Sequence, residues 1–315
     1  MKNVFLKTLF QIYERSGSFC ASLKFLAFLA LALVLISLPS QRAVSQIISA
    51  GQGKTQLDVP YEPSSGDVVE AMLKISEVGK NDLVYDLGCG DGRIVIAAAQ
   101  KTGARGVGVD LDSRRIQESL ENARKANVTD RVQFFQQDLF RTEIGQATVV
   151  MLYLYPEVNL KLRPKLLREL RPGTRIVSHS HDMGDWHPDQ TITAPGGHSI
   201  HFWVTPANVT GTWEWKMPGE KESYILKLSQ QFQKISGTLQ SGSDEIPLKA
   251  LELRGDRLQF SVERLFNGQM QPRRFIGHVQ GHLIEGTVEE ITTGSQVNQP
   301  WKAERNPSSM KPLDL

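Results

Sequence analysis

A glycine-rich turn carries the residues of this chain whose types and spacing indicate the clearest chemistry. The turn Gly88–Gly92 follows an apolar run at residues 83–87, which predicts a buried strand, and precedes an apolar run at residues 94–99, which predicts a helix. Glycines in such a turn let the backbone bend sharply and bring its N–H groups close to a ligand. Asp110 ends the next predicted strand, at residues 106–110, where a carboxylate can accept hydrogen bonds from a ribose diol. The order of these elements predicts a binding site for a nucleoside-type cofactor.

The spacing of the three glycines separates two kinds of nucleoside cofactor. Dinucleotide sites use the pattern Gly-x-Gly-x-x-Gly and place a pyrophosphate at the helix N-terminus. The third glycine of this chain, Gly92, comes one residue early. Asp86 and Asp91 also put two carboxylates around the turn, and these would repel a pyrophosphate but attract a cation. We therefore predict S-adenosylmethionine, which carries an ammonium and a sulfonium group, as the cofactor.

Three segments of the sequence resemble motifs of the class I, seven-strand methyltransferases. Residues 86–93 resemble the first motif of that family, and Asp110, followed by Leu111, falls where the family binds the ribose hydroxyls. Residues 131–139 resemble the third motif, in which an acid, Asp138 in this chain, contacts the adenine amino group. The resemblance implies a Rossmann-like fold with S-adenosylmethionine as the methyl donor.

The chain divides into two predicted domains with different sequence patterns. Strands alternate with helices over residues 61–206, which predicts an α/β domain with a parallel sheet and helices on both of its faces. Runs at residues 190–193 and 199–204 predict the antiparallel pair that closes a seven-stranded sheet. Short β-rich runs without helical periodicity fill residues 210–292, and residues 293–315 are predicted to be a polar tail. The predicted fold class is a Rossmann-like seven-stranded methyltransferase sheet followed by a small all-β domain, an antiparallel barrel or sandwich.

The N-terminal residues have the layout of an export signal. Basic residues precede an uncharged apolar run at residues 25–38, and the small residues 43–45 follow it. Residues 1–45 are therefore predicted to be a secretory signal peptide, since 14 apolar residues are short for a membrane span. The alternative is an uncleaved anchor. Either interpretation places the body of the protein outside the cytoplasm, exported or anchored in the membrane and facing outward. Residues 46–60 are polar and glycine-rich and are predicted to be a flexible lead-in.

Composition excludes some partners and linkages. The 315 residues include 36 basic and 34 acidic side chains, so the charge balance does not indicate a nucleic-acid partner. Cys20 falls in the predicted leader, which leaves Cys89 as the one cysteine of the predicted exported body. An intramolecular disulfide is therefore not expected in that body.

The residues after the fourth predicted strand usually face the transferable methyl group in the methyltransferase family. Enzymes that methylate amide or exocyclic nitrogens often carry Asn/Asp-Pro-Pro-aromatic there. This chain has Tyr153-Leu-Tyr155-Pro156 instead, so the segment does not favour nucleobase methylation. Tyr153 and Tyr155 are predicted to face the substrate as an aromatic wall that makes a cation–π contact. Packing in the core or at the rim is the alternative for each of them.

Two further segments resemble the mitochondrial lysine methyltransferases that act on the ATP synthase c-subunit and the adenine nucleotide carrier. They are Tyr61-Glu-Pro63, ahead of the first helix, and residues 178–186, after the fifth strand. The resemblance covers residues 60–205 and implies a protein-lysine N-methyltransferase with a membrane-linked setting and an aromatic residue near the cofactor. The cofactor-binding residues that the two resemblances imply are Tyr61, Asp86, Gly88, Gly90, Gly92, Asp110, Leu111, Asp138 and Leu139.

Alternatives remain open for one polar segment and for the acceptor. His179, His181, Asp182, Asp185 and His187 form the densest polar cluster, for which a structured loop, a substrate-facing role and a metal site are considered. No metal ligand is predicted, because metal ligands are normally gathered from separate elements. The acceptor is predicted to be a protein lysine, with a small molecule or lipid held by the barrel as the alternative. Because S-adenosylmethionine is made in the cytoplasm, a non-catalytic exported binding protein is a third hypothesis.

Overall fold

The computed structural model describes residues 61–266, 269–292 and 295–313. The predicted leader of residues 1–45 and the predicted lead-in of residues 46–60 lie outside these described residues. Among the helices within the described ranges, none has both the length and the hydrophobicity needed to cross a membrane.

The first part of the described chain alternates strands with helices and forms one sheet. Its strands are β1 (Leu83–Leu87), β2 (Arg105–Asp110), β3 (Val132–Gln136), β4 (Val149–Leu152), β5 (Arg175–His179), β6 (Gln190–Thr193) and β7 (Ser199–Val204). Its helices are α1 (Gly66–Ile75), α2 (Arg93–Thr102), α3 (Ser113–Lys125) and α4 (Pro156–Glu169). The strand order is β3-β2-β1-β4-β5-β7-β6, in which β7 is antiparallel to both of its neighbours and the other pairs are parallel. The predicted Rossmann-like seven-stranded sheet is therefore confirmed.

Local sequence explains how this sheet positions the loops at its carboxyl edge. All four residues of β4 are buried, as expected for a parallel strand that is covered on both faces. β1 ends at Leu87, and Gly92, with a φ of +80°, precedes α2 in a left-handed conformation that glycine adopts without strain. α1 begins after its N-cap Ser65, whose hydroxyl accepts a hydrogen bond from the Val68 N–H. The loop after β1 and the segment before α1 can thus meet beside the end of β2.

The second part of the described chain is an antiparallel sheet that curls into a half-barrel. Its strands are β8 (Gly211–Lys216), β9 (Ser223–Gln231), β10 (Lys234–Ser241), β11 (Asp244–Ile246), β12 (Lys249–Arg254), β13 (Arg257–Phe266), β14 (Gln269–Gln280), β15 (Leu283–Thr292) and β16 (Ser295–Arg305). Their order is β11-β10-β9-β8-β16-β15-β14-β13-β12. Large aromatic side chains fill the concave face, and Trp215, Phe260, Phe275 and Trp301 have ring centroids 4.8 to 6.2 Å apart. The predicted all-β, barrel-like domain is confirmed.

The predicted polar tail of residues 293–315 is wrong, because β16 lies within it. β16 pairs with β15 on one side and with β8 on the other, which makes it a central strand of the second sheet. Its inward side chains Trp301 and Ala303 are buried in the core, while Lys302 between them is exposed. Pro300 also argues against a strand in the sequence, since proline lacks a backbone N–H and is rare inside sheets.

The two sheets share a core at the turn between β9 and β10. Phe232 in this turn is buried among side chains of the first sheet and stacks on Trp186, with 6.0 Å between ring centroids and 16° between ring planes. The next residue, Gln233, donates a hydrogen bond from its side-chain amide to the His187 carbonyl, at 2.7 Å. The segment between β5 and β6, residues 180–189, therefore contacts both the first sheet and the half-barrel.

Candidate active site

A cavity lies at the carboxyl ends of β1, β2 and β4, where an open α/β sheet normally binds its ligand. Its walls come from the turn after β1, the ends of β2 and β4, and the segment 61–64 before α1. Eight residues that the sequence predicts as cofactor-binding or substrate-facing line it: Tyr61, Asp86, Gly88, Gly90, Asp110, Leu111, Leu139 and Tyr153. The structure thus brings together residues from five separate stretches of the chain.

Asp86 is a buried carboxylate in the cavity wall, and no cationic side chain among the described residues pairs with it. Its side chain is 2% exposed, and its Oδ2 atom has no hydrogen-bond partner among the described residues. Burial raises its pKa to about 8, with further contributions from the nearby carboxylates of Asp110 and Asp91. A buried carboxylate is costly unless it is paired, so this position favours a cationic ligand group. The ammonium of S-adenosylmethionine fits that requirement.

Asp91, the second carboxylate at the turn, is already paired. The Arg93 guanidinium donates hydrogen bonds to both of its oxygens, at 2.9 Å to Oδ1 and 2.7 Å to Oδ2. Burial acts to raise the pKa of Asp91, but the hydrogen bonds and charge of Arg93 outweigh it, and the pKa lies below its usual value. Arg93 also donates to the Ser64 carbonyl at 2.8 Å and so ties the segment before α1 to the turn. Because Arg93 already pairs with Asp91, we expect the cationic group of the predicted cofactor to pair with Asp86.

Asp110 is held in a fixed orientation at the end of β2. Its Oδ2 accepts a hydrogen bond from the Gly90 N–H at 2.9 Å, and its Oδ1 accepts one from the Asp112 N–H at 2.9 Å. Each carboxylate oxygen has a second lone pair, so both can accept further hydrogen bonds. A ribose diol offers two adjacent hydroxyl donors, which match this arrangement.

Tyr61 covers the glycine turn. A Cβ atom added at Gly90 would lie 2.5 Å from the Tyr61 ring, so the glycine allows the ring to approach the backbone. The Arg115 guanidinium lies 3.7 Å from the centroid of the same ring, a cation–π contact. Tyr61 is 38% exposed. It therefore forms an outer wall of the cavity, which the sequence resemblance placed near the cofactor.

Three predicted site residues lie away from the cavity walls. Gly92 packs against β3 and α3, because an added Cβ would lie 2.7 Å from the Phe134 ring and 2.8 Å from Ser119. The Oδ1 atom of Asp138 accepts a hydrogen bond from the Phe140 N–H at 2.8 Å. Tyr155 immediately precedes α4, is 39% exposed and contacts His181 edge-on. The roles predicted for Gly92, Asp138 and Tyr155 stay predictions.

Tyr153 stands at the other end of the cavity with polar partners. Burial, followed by the influence of the Glu62 carboxylate, raises the Tyr153 pKa to about 12. Its ring packs on His179, with 3.9 Å between centroids. Sequence reasoning did not predict a role for Glu62. It included this residue only as part of the segment that resembles the lysine enzymes. Its position next to Tyr61 was the available signal.

His179 is the buried member of the polar cluster. It is 2% exposed, its Nδ1 lies 2.9 Å from the Ser64 Oγ, and its Nε2 lies 3.1 Å from the His198 Nδ1. Burial lowers its pKa to about 4, with the neighbouring His198 as the next cause. Sequence reasoning missed Ser64 and His198 as partners. His198 follows His179 by 19 residues on a different strand connection, so no spacing rule links the two.

The rest of the polar cluster makes contacts that favour the structured-loop interpretation. The Asn159 side-chain amide donates to the carbonyls of His181 and Asp182. The Asp182 carboxylate accepts from the Gly184 N–H, and the His187 carbonyl accepts from the half-barrel. Within the described ranges, no group of three His, Cys, Asp or Glu side chains converges on a position that could hold a metal ion.

Comparisons with known proteins match the part of the chain that forms the cavity. A family model described as the ANTKMT methyltransferase domain matches residues 86–190. A protein-lysine N-methyltransferase of Saccharolobus islandicus (strain REY15A) is 43% identical over 150 residues, which cover 46% of this chain and 93% of that protein. The human lysine N-methyltransferase of the ATP synthase c-subunit is 33% identical over 138 residues, which cover 44% of this chain and only 58% of that enzyme.

Solved structures are also similar to this chain. One of them is described as an RNA methyltransferase from Salinibacter ruber in complex with S-adenosyl-L-homocysteine, and it has 45% sequence identity. The match covers 50% of this chain and 98% of that chain, with a TM-score of 0.46. A TM-score of 0.46 is too low for the similarity to bear on the acceptor.

Proposed function

We propose how the cavity works from one premise: the chain belongs to the family of S-adenosylmethionine-dependent protein-lysine N-methyltransferases. The cofactor is S-adenosylmethionine, and the reaction moves its methyl group to the ε-amino nitrogen of a lysine in a protein. The observation that carries the assignment of residues is the buried Oδ2 atom of Asp86 in the cavity wall, which has no hydrogen-bond partner in the described part of the chain and lies beside the fixed carboxylate of Asp110.

Each end of the cavity has its own task. Asp86 holds the cofactor ammonium, Asp110 accepts hydrogen bonds from the ribose hydroxyls, and Tyr61 closes the outer wall. When bound, S-adenosylmethionine supplies a methyl group made electrophilic by the sulfonium. Tyr153 and Glu62 form the acceptor end, where an aromatic face and a carboxylate attract a lysine side chain. Lysine is nucleophilic once it is deprotonated, so its positioning in the cavity contributes more than a strong base.

The acceptor and its compartment are the finer parts of this proposal. Relatives of this chain are named for their action on the ATP synthase c-subunit and on adenine nucleotide translocase. The basic and apolar layout of residues 1–45 supports export or anchoring, with membrane association through this segment. We therefore expect the acceptor to be a protein at the outer side of a membrane. Cell fractionation, with mass spectrometry of the mature N-terminus, tests the compartment, and a cytoplasmic enzyme with an intact leader would contradict it.

Two alternative hypotheses, one for the acceptor and one for the function, lose support from the structure and the comparisons. The concave face of the half-barrel is packed with aromatic rings, which opposes the alternative in which the barrel holds a small or lipid acceptor. A non-catalytic binding protein is not what membership of an enzyme family indicates.

Labelling of proteins tests the function directly. We expect the full chain, incubated with S-adenosylmethionine carrying a tritiated methyl group, to label protein in a membrane fraction, with methyl-lysine as the labelled amino acid after hydrolysis. Label confined to lipid, nucleic acid or small molecules would contradict the proposal.

Removal of one carboxylate tests the cofactor assignment in the same preparation. Asp110→Ala should abolish cofactor binding in calorimetry, because it removes the acceptors for the ribose. Asp130→Ala, at an exposed position away from the cavity, is the matched control and should bind like the wild type. An Asp110→Ala protein that binds with unchanged affinity would contradict the assignment.

A further inference from the structure

A chain of hydrogen bonds leads from the acceptor end of the cavity to the surface. Ser64 lines the cavity and is 3% exposed, with its hydroxyl 2.9 Å from the His179 Nδ1. On the far side of the His179 ring, Nε2 lies 3.1 Å from Nδ1 of His198. His198 is exposed immediately before β7. The three side chains come from the segment before α1, from β5 and from the connection before β7, so the fold has to assemble them.

The proposed reaction needs a route for a proton at this end of the cavity. A lysine arrives in water as an ammonium, with a pKa of about 10.4, and has no lone pair for attack until a proton leaves. Glu62 is an exposed carboxylate whose charge acts on Tyr153, and Asp86 and Asp110 stand at the cofactor end. We propose that Ser64, His179 and His198 form a proton relay that carries the proton of the acceptor lysine from the cavity to solvent. This inference rests on the proposed lysine methylation.

The relay moves one proton for each methyl group transferred. The acceptor ammonium gives a proton to the Ser64 Oγ, whose own proton passes to the His179 Nδ1. The Nε2 proton of His179 then passes to the His198 Nδ1, and the Nε2 proton of His198 passes to water. The lysine is left as a free amine whose lone pair forms the new C–N bond as the C–S bond breaks. After the product leaves, water enters the cavity. Protons then shift in the opposite direction, from solvent at His198 to the cavity water at Ser64, and this restores the starting tautomers.

The surroundings of His179 suit a relay that conducts without holding charge. The ring packs on Tyr153, and the charged or titratable groups that face it are Glu62, His181 and His198. Burial and His198 keep its pKa near 4, so the imidazole is neutral at neutral pH. A neutral ring can accept a proton on one nitrogen and donate from the other, whereas a charged ring can only donate. A neutral ring also adds no repulsion to an approaching ammonium.

The pH dependence of methyl transfer distinguishes a relay from a structural role. We would compare the full chain with Ser64→Ala, and use Ser65→Ala as the matched control, since it removes a hydroxyl one residue away at the N-cap of α1. Single-turnover rates would be measured from pH 7 to pH 10 with tritiated S-adenosylmethionine and the protein fraction that the wild type labels on lysine. At pH 7 we expect Ser64→Ala to be at least about tenfold slower, because its acceptor must arrive already deprotonated.

The deficit of Ser64→Ala should shrink by about tenfold for each pH unit, as the free amine becomes more abundant in solution. Ser65→Ala should follow the wild type at each pH. A deficit that stays constant with pH would indicate a structural role and overturn the relay, as would a Ser64→Ala rate equal to the wild type throughout. Loss of cofactor affinity in calorimetry would place Ser64 in the cofactor site instead.

Two further arms keep the test decisive. If Ser64→Ala does not fold, His198→Gln interrupts the outer end at an exposed position and should show the same pH-dependent deficit; wild-type rates at each pH would overturn the relay. A wild type that labels no lysine in any fraction would overturn the proposed function. A wild type that labels lysine, together with variants that match it, would overturn the relay alone.

Discussion

Asp86 links cofactor binding to protonation at the scale of a single residue. Its pKa of about 8 in the folded protein lies above the value of about 4 expected in the unfolded chain. Between these values the folded protein without cofactor holds a proton that the unfolded chain releases. The free energy of unfolding should therefore fall as the pH rises from about 4 to about 8. A bound ammonium needs the charged carboxylate, so binding must expel this proton.

The affinity for S-adenosylmethionine should consequently rise with pH. We expect the dissociation constant to fall by about tenfold per pH unit between pH 6 and pH 7, below the range in which an α-amino group titrates. Calorimetry in buffers of different ionisation enthalpy would measure both the affinity and the released proton. Asp86→Asn should bind at least about tenfold more weakly at pH 7.5 and lose the pH dependence. A steep dependence that persists in Asp86→Asn would show that another group is responsible.

Sequence reasoning reached some residues of the site and not others for a physical reason. Asp86 lies near the end of one apolar strand and Asp110 ends the next, at the spacing that a strand–turn–helix unit requires, so local order was sufficient to find them. Ser64 and His198 acquire their roles through contacts with His179 across 115 and 19 residues of chain. Such contacts depend on how elements pack, which residue spacing does not record.

At the scale of elements, the turn between β1 and α2 uses its glycines in two different ways. Gly90 has a φ of +52° and faces the ring of Tyr61, a partly exposed side chain that can move. Gly92 has a φ of +80° and faces the buried side chains of Phe134 and Ser119, which cannot move easily. The glycine pattern that predicts a cofactor site therefore also serves the packing of α2 against the sheet.

Alanine substitutions should separate these two uses. Gly90→Ala should cost about 1–2 kcal/mol of unfolding free energy from its left-handed backbone, and should weaken cofactor binding by displacing Tyr61. Gly92→Ala adds overpacking to the same backbone cost and should lose about 2–5 kcal/mol. Chemical denaturation would measure both values, with Gly66→Ala as a control, since nothing lies within 4 Å of its added Cβ. Equal losses for Gly90→Ala and Gly92→Ala would contradict this distinction.

The same scale explains which elements the sequence predicts well. The strands of the first sheet are short apolar runs separated by helices, and the fully buried β4 is the clearest of them. β16 was not predicted, because exposed and buried side chains alternate over residues 300–305 and Pro300 interrupts the pattern. Its place in the sheet comes from pairing with β15 and β8. The residue pattern of β16 alone does not reveal this pairing.

At the scale of the whole molecule, the half-barrel is fixed to the methyltransferase sheet through interlocking side chains. Phe232 reaches into the core of the first sheet, and the Arg163 guanidinium lies 5.3 Å from its ring centroid. The Gly255 turn packs on Gly173, and its carbonyl accepts a hydrogen bond from the Ala207 N–H at 2.8 Å. The sequence pattern changes near residue 206, but the sequence does not reveal the contact between the two domains. Phe232 looks like an ordinary turn residue of the half-barrel.

Phe232→Ala should therefore weaken both parts of the molecule at once. The change leaves a cavity between Trp186 and Arg163, and truncation of a buried phenylalanine costs about 3–5 kcal/mol. Because Trp186 lies in the connection that follows His179, we also expect slower methyl transfer with little change in cofactor affinity.

Phe135→Ala is the matched control, as Phe135 is 46% exposed on the edge strand β3 and its loss should cost less than about 1 kcal/mol. Calorimetric unfolding and single-turnover rates would measure both effects. If Phe232→Ala unfolds like Phe135→Ala, the two domains are coupled elsewhere; if it is destabilised but transfers methyl groups at the wild-type rate, the contact between the domains supports the fold without positioning the acceptor end.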